Sequence, residues 1–241
     1  MCLIVFAWRL VQGTPLVAVG NRDEFYDRPA EPAGWWAEYP DLFAGRDLHS
    51  GGTWLGVTRT GRFAAVTNIR NPALLKPVAP TRGALVTDFL SGSASAREYI
   101  GQIAGHAEEF NGFNLLVGDG DELVWFTNAE TDDARNGQSL APGFYGLSNA
   151  MLDTPWPKVV RTKAQFASLL CQDAPDEAYF DMLSDTTRTS DCRLPKTGVT
   201  LEKERMLSAV CIESPNYGTR VSTVVRMQTG ADPILHEILV R

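Results

Sequence analysis

MCLIVFAWRLVQGTPLVAVGNRDEF, residues 1–25, holds two apolar runs and closes on a block of consecutive polar residues. Residues 2–8 and 15–20 are rich in Val, Leu, Ile and Phe, and the Gly and Pro of VQGTP between them supply turn chemistry. The pair therefore reads as a β-hairpin. A cysteine stands second, at the head of the greasy first strand, and the polar quartet Asn21-Arg22-Asp23-Glu24 follows the second.

Outward from this hairpin the chain reads as strands, helices, strands, helices, strands. YDRPAEPAGWW (26–36) has prolines and a glycine that argue against regular structure and a Trp pair that needs packing, which suits an ordered loop. TWLGVTRTGRFAAVTN (53–68) reads as a second hairpin whose last strand ends at Asn68. Leu85, Val86, Phe89, Leu90, Tyr99, Ile100 and Ile103 fall at helical spacing, interrupted by SGSAS (91–95), where a second helix finds its cap. FNLLVGDGDELVWFTN (113–128) is the clearest hairpin, and FYGLSN gives a short strand ending at Asn149. Val159, Val160, Phe166, Leu169 and Leu170 mark one helix face, and DEAYFDMLS (176–184) a further helix. Residues 185–215 are mixed and read as an insertion; RVSTVVRM and PILHEILV close the chain as strands. Helices do not alternate regularly with single strands, so antiparallel sheets with segregated helices are expected over a doubly wound parallel sheet.

The chain of 241 residues is long enough to bury a substantial core and reads as a single domain over 1–241. Apolar residues make up 44% and charged residues 21%, the balance of a folded globular protein. A net charge of −7 argues against nucleic acid as a partner, which would need clustered Lys and Arg. The longest apolar runs fall far short of the roughly 20 residues of a membrane span. No secretory or transit pattern precedes the first strand, and the scattered Cys2, Cys171, Cys192 and Cys211 do not form a disulfide framework. A cytoplasmic setting with reduced thiols is expected.

His49, His106 and His236 share no metal-ligand spacing, and no Walker loop, dinucleotide fingerprint or nucleophile elbow occurs, so neither a metal nor an organic cofactor is expected. Cys2 remains. With Met1 removed, it would carry a thiol and a free α-amine on one residue, with reference pKa values near 8.5 and about 7.7–8.0. The amine can take the thiol proton, and the thiolate can attack an acyl carbon without a histidine. Taken alone, a cysteine in an apolar strand is more often a small buried hydrophobe, so other residues must decide.

MCLIVFAW, VGNRDEFYDRP, AGRDLHSGGTWLG, VTNIRNP, FNLLVGD, GLSNAMLDTPWPKV and YGTRVSTVV together resemble the NRDE family, also called the transport and Golgi organisation family. That resemblance implies an α+β fold of the N-terminal nucleophile hydrolase kind, a four-layer αββα sandwich of two antiparallel sheets. Its nearest functional likeness is to cysteine amidases of the penicillin V acylase and choloylglycine hydrolase type. It implies Cys2 as nucleophile of a linear-amide hydrolase acting through a thioester, with a small-molecule substrate.

The same resemblance places the polar quartet beside the nucleophile. The acylases carry Arg-x-x-Asp there, so two registers are open: Arg22 and Asp23 orient the thiol and amine, or Asn21 and Glu24 occupy those places. Asn149 and Asn68 resemble amides that stabilise an oxyanion or position substrate, with Asn149 preferred because GLSN lies inside the longer motif. Arg220 would assist the thiolate or bind a substrate carboxylate, and Asp47 and the GGTWLG glycines would shape the pocket mouth, with Trp54 as core. The other reading is a non-enzymatic carrier or trafficking factor on the same scaffold, with an apolar ligand such as lipid, acyl-CoA or haem.

Overall fold

The computed structural model describes residues 2–241. β1 (Cys2–Val11) and β2 (Thr14–Phe25) form the expected hairpin, reversed at Gly13, whose φ of +74° favours a residue without Cβ. Both strands are longer than the apolar runs suggested. The quartet does not follow β2 but lies within it: Asn21 and Arg22 pair with β1 on one side, and all four pair on the other with β11 (Tyr217–Met227). A central strand can carry polar residues where each finds a partner on the sheet's faces, and apolar patterning alone misses that extension.

β3 (Ala30–Trp35) corrects the expectation of an irregular loop. It is an edge strand of its sheet, with a register shift between Glu31 and Gly34 around Pro32, which an edge and a bulge both tolerate. β4 (Leu42–Asp47), β5 (Leu55–Thr58), β6 (Phe63–Asn68), β7 (Phe113–Gly118), β8 (Leu123–Thr127) and the short β9 (Gln138–Ser139) follow it. β10 (Gly143–Leu147) ends two residues before Asn149, and β12 (Ile234–Leu239) closes the sheet that holds β1. The sheet orders are β10-β1-β2-β11-β12 and β3-β4-β5-β6-β7-β8-β9, with every described pairing antiparallel.

α1 (Arg82–Ser91) and α2 (Ala96–Ala104) break at the SGSAS stretch, where Ser95 and Glu98 form a reciprocal capping box. α3 (Pro157–Cys171) starts with Pro at its first position, after Trp156 as N-cap. α4 (Asp176–Leu183) and α5 (Leu201–Leu207) complete the helices. Within residues 185–215, Leu207–Ile212 are buried, and Val210 joins the core beneath α3 and α4.

Side-chain alternation along β1 explains the layering. Leu3, Val5 and Ala7 pack with Val159 and Phe166 of α3 and Tyr179 and Leu183 of α4. Ile4, Phe6 and Trp8 point the other way, onto Leu55, Leu116 and Trp125 of the second sheet. The far face of that sheet packs Val66, Leu115 and Val117 on Leu85 and Phe89 of α1 and Ile100 of α2. The result is helix, sheet, sheet, helix: the four-layer αββα sandwich. Each fully buried Leu or Phe contributes about 1.5–3 kcal/mol, so the inter-sheet core is what fixes one sheet's ends over the other's.

Candidate active site

Because Ile4 and Phe6 face the second sheet, Cys2, in phase with them, faces it too. The β1–β2 register sets Cys2 opposite Arg22, on that same face. Close strand approach is secured at Gly20, where a Cβ would stand 2.6 Å from the Leu3 carbonyl oxygen. Where the sheet ends meet, a cavity of about 330 Å³ opens, walled by Cys2, Arg22 and Glu24 from one sheet, Asp47 and Asn68 from the other, and Arg82 from α1.

Asp47 organises this wall. Its Oδ2 accepts from Arg22 Nη2 at 3.0 Å and from Arg28 Nε at 2.6 Å, while its Oδ1 accepts from the backbone N–H groups of His49 and Ser50. Burial works against the charge, but the hydrogen bonds from Arg28 and Ser50 and the charges of both arginines hold its carboxyl below the usual range. The Arg22 guanidinium lies 4.3 Å from the Trp54 ring centroid, and Trp54 has room because Gly45 has no Cβ, which would fall 2.2 Å from the ring. Burial pushes the Cys2 thiol up; the Asp23 carboxylate adds to that and the Arg22 charge opposes it.

The other two members of the quartet turn toward the helices. Asn21 Nδ2 donates to the carbonyls of Leu183 and Val210, and its Oδ1 accepts from Ser222 Oγ, so its amide is spent tying the helix layer to the sheet. Asp23 accepts from Thr219 Oγ1 at 2.7 Å, and burial raises its carboxyl against the pull of the nearby Lys158 charge. Glu24 faces the cavity, with its Oε1 accepting from the Phe25 N–H.

Asn68 and Asn149 are brought together with unequal tasks. Asn149 is buried, and its Nδ2 donates to the Asn68 carbonyl at 2.9 Å. Asn68 is the one of the two that lines the cavity, and no hydrogen bond occupies its side chain among the described residues. Arg220 lies apart from the cavity wall: its Nη1 donates to the carbonyls of Phe25 and Arg28, and its Nε to that of Arg241, fastening the turn after β2.

Several residues escaped the sequence reading. Ser148 Oγ donates to the Cys2 carbonyl at 3.1 Å, holding the nucleophile candidate's backbone. Lys158 is buried at the start of α3, and burial lowers its ammonium to about 8. Arg70 and Glu204 form a buried ion pair at 2.9 Å. Ser148, Lys158 and Arg70 lie inside quoted motifs, but no spacing marked them; Arg82, in PTRGALV, lies outside all of them. Among the described residues no helix is long and apolar enough to cross a membrane, and no cluster of three or more His, Cys, Asp or Glu could hold a metal ion.

The sequence matches the family model described as Transport and Golgi organisation 2 over residues 1–237. The chain belongs to the Transport and Golgi organisation 2 family. Within that family it is 35% identical to the human Transport and Golgi organization protein 2 homolog over 246 aligned residues, covering 93% of this chain and 88% of the relative. The Bos taurus homolog is 34% identical over the same spans. Among solved structures, the Caenorhabditis elegans ortholog of N-acylethanolamine-hydrolyzing acid amidase superposes over 100% of both chains with a TM-score of 0.51 at 11% identity. That likeness is one of fold: this Transport and Golgi organisation 2 chain shares its architecture with the amidase.

Proposed function

We propose that the protein is an N-terminal-cysteine amidohydrolase that cleaves a linear amide through a thioester. The observation that carries this reading is the pairing of Cys2 with Arg22 on the cavity-facing side of the first sheet. In the proposed reaction Met1 is removed and the α-amine of Cys2 takes the thiol proton. The thiolate adds to the substrate carbonyl, the leaving amine departs with that proton, and water cleaves the thioester to release the acid.

The strand register supports a division of roles. Asp23 follows Arg22 by one residue, which sets it just past Cys2 along the ladder, beside the place of a free α-amine. Arg22 then serves the thiolate and Asp23 the ammonium, the first of the two registers left open by the sequence. Asn68 is the better oxyanion donor because its amide is uncommitted, and Asn149 holds Asn68 in position. One such donor contributes roughly 3 kcal/mol to a transition state. Arg220 acts on the turn after β2 rather than on substrate.

We read residues 1–241 as one domain, since strands from both ends of the chain share a sheet. A reducing, cytoplasmic setting suits a reactive Cys2 whose thiol is free. A carrier of apolar cargo finds less support in a wall of arginine, carboxylate and amide side chains. Hydrolysis of a panel of small amides by wild type and Cys2→Ala tests the reading: turnover is lost in the variant if it holds, and full turnover in the variant overturns it.

A further inference from the structure

The cavity holds three arginines, Arg22, Arg28 and Arg82, and they are not equivalent. Arg22 and Arg28 both donate to Asp47 Oδ2, and Arg28 also donates to Ser50 Oγ. Their charge is largely taken up by Asp47, and Arg22 also lies over the Trp54 ring. Arg82, the first residue of α1, makes a single hydrogen bond, from Nη1 to the Gly112 carbonyl at 3.0 Å. Among the described residues no carboxylate lies within salt-bridge distance of it.

The atoms left over have a particular shape. With Nη1 tied to Gly112, Nε and Nη2 remain, and these form the edge of a guanidinium that presents two parallel N–H groups to a planar carboxylate. That edge is neither hydrogen-bonded nor sealed from solvent, and it belongs to a side chain on the cavity wall within electrostatic reach of Cys2 and Glu24. Its position is held from below: Gly52 and Gly83 approach so closely that a Cβ on Gly52 would fall 2.5 Å from the Gly83 carbonyl carbon. The start of α1 is thereby fixed against the GGTW turn, and Arg82 cannot drift from the cavity rim without breaking that contact.

Resting on the amidase reading above, we infer that Arg82 is the specificity residue of this site and that the substrate is a small amide carrying a carboxylate near the scissile bond. Glu24, a carboxylate that also faces the cavity, lies 3.9 Å from Arg28 Nε. Asp47 is already neutralised by two arginines, so an incoming carboxylate meets a free cation rather than a paired one. A cavity of about 330 Å³ is of small-molecule size.

The test uses two carboxylate amides, N-hexanoylglycine and N-hexylsuccinamate, each with its neutral carboxamide counterpart, so that a carboxylate on either side of the amide is covered. At least one acid should be turned over with kcat/KM about 10- to 100-fold above its neutral match. In Arg82→Gln the loss on that acid should exceed the loss on the neutral amide by about tenfold or more, chiefly through KM. Arg82→Lys, which keeps charge but loses the fork, should recover only part of it. Equal losses on acid and neutral amide, or no preference for either acid, overturn the inference.

A binding arm separates this from failure of the amidase reading. Calorimetric titration of the same acids into Cys2→Ala protein, with and without Arg82→Gln, needs no turnover. Binding that weakens about tenfold with Arg82→Gln supports the carboxylate site even where no hydrolysis occurs. Binding indifferent to Arg82 overturns it, as does displacement of the acid by equimolar inorganic phosphate, which would mark a general anion site.

Discussion

Arg22 Nη2 and Asp47 Oδ2 are 3.0 Å apart, joining the central strand of one sheet to the end of β4 in the other, with side-chain exposures of 5% and 13%. Removing one partner of such a pair strands the other in a poorly solvated place. Asp47→Asn should destabilise the protein by about 3 kcal/mol, read from urea unfolding at pH 7. Because the Asp47 carboxyl is held below its unfolded value, its stabilisation is present above the unfolded pKa near 3.9 and lost as pH falls through the folded value. The gap between wild type and Asp47→Asn should therefore close in acid.

The same arginine bears on the thiol. Burial raises the Cys2 pKa and the Arg22 charge works against that rise, so Arg22→Gln should move it further up. The pH dependence of iodoacetamide alkylation reads this directly, in a background where the exposed Cys171 and Cys192 are serine. The alkylation midpoint should shift to higher pH, while an unchanged midpoint would separate Arg22 from the thiolate.

Gly52 and Gly34 give a matched comparison. A Cβ on Gly52 meets Gly83 backbone at 2.5 Å, whereas one on Gly34 meets nothing within 4 Å. Gly52→Ala should cost roughly 1–3 kcal/mol by overpacking and Gly34→Ala should be near neutral. Thermal unfolding of the two variants decides it.

Lys158 is 2% exposed, its Nζ has no hydrogen-bond partner among the described residues, and burial lowers its pKa to about 8. Between about pH 8 and the unfolded value near 10.4 the unfolded chain holds a proton that the folded one has released. Folding stability should gain on the order of 3 kcal/mol across that window. Lys158→Met should remove this gain, seen as a wild-type minus variant difference in unfolding free energy that rises with pH; a flat difference refutes the burial account.

Hairpins, helices and caps were legible where periodicity and turn residues agreed, as at Ser95 with Glu98 and at FNLLVGDGDELVWFTN. β3 was hidden because Pro32 argues against a strand unless the strand is known to lie at an edge. Four polar residues in a row read as a strand end; the pairing of β11 on β2's other side is what carries Asp23 and Glu24 into the sheet. Motif resemblance gathered Cys2, Arg22, Asp47 and Asn68 around one cavity. It could not separate Asn68, which lines the cavity, from Asn149, whose Nδ2 is spent on a backbone carbonyl. Arg82 and Lys158 depend on burial and on which hydrogen bonds are absent, and neither property is written in spacing.

The most direct test of the account is intact-mass spectrometry of the purified protein, alone and quenched during incubation with a hydrolysable amide. The account predicts a chain lacking Met1 and, on quenching, one added acyl group that is absent from Cys2→Ala. A chain that retains Met1 while turning over amide, or turnover with no acyl group on Cys2 and none lost in Cys2→Ala, would contradict it.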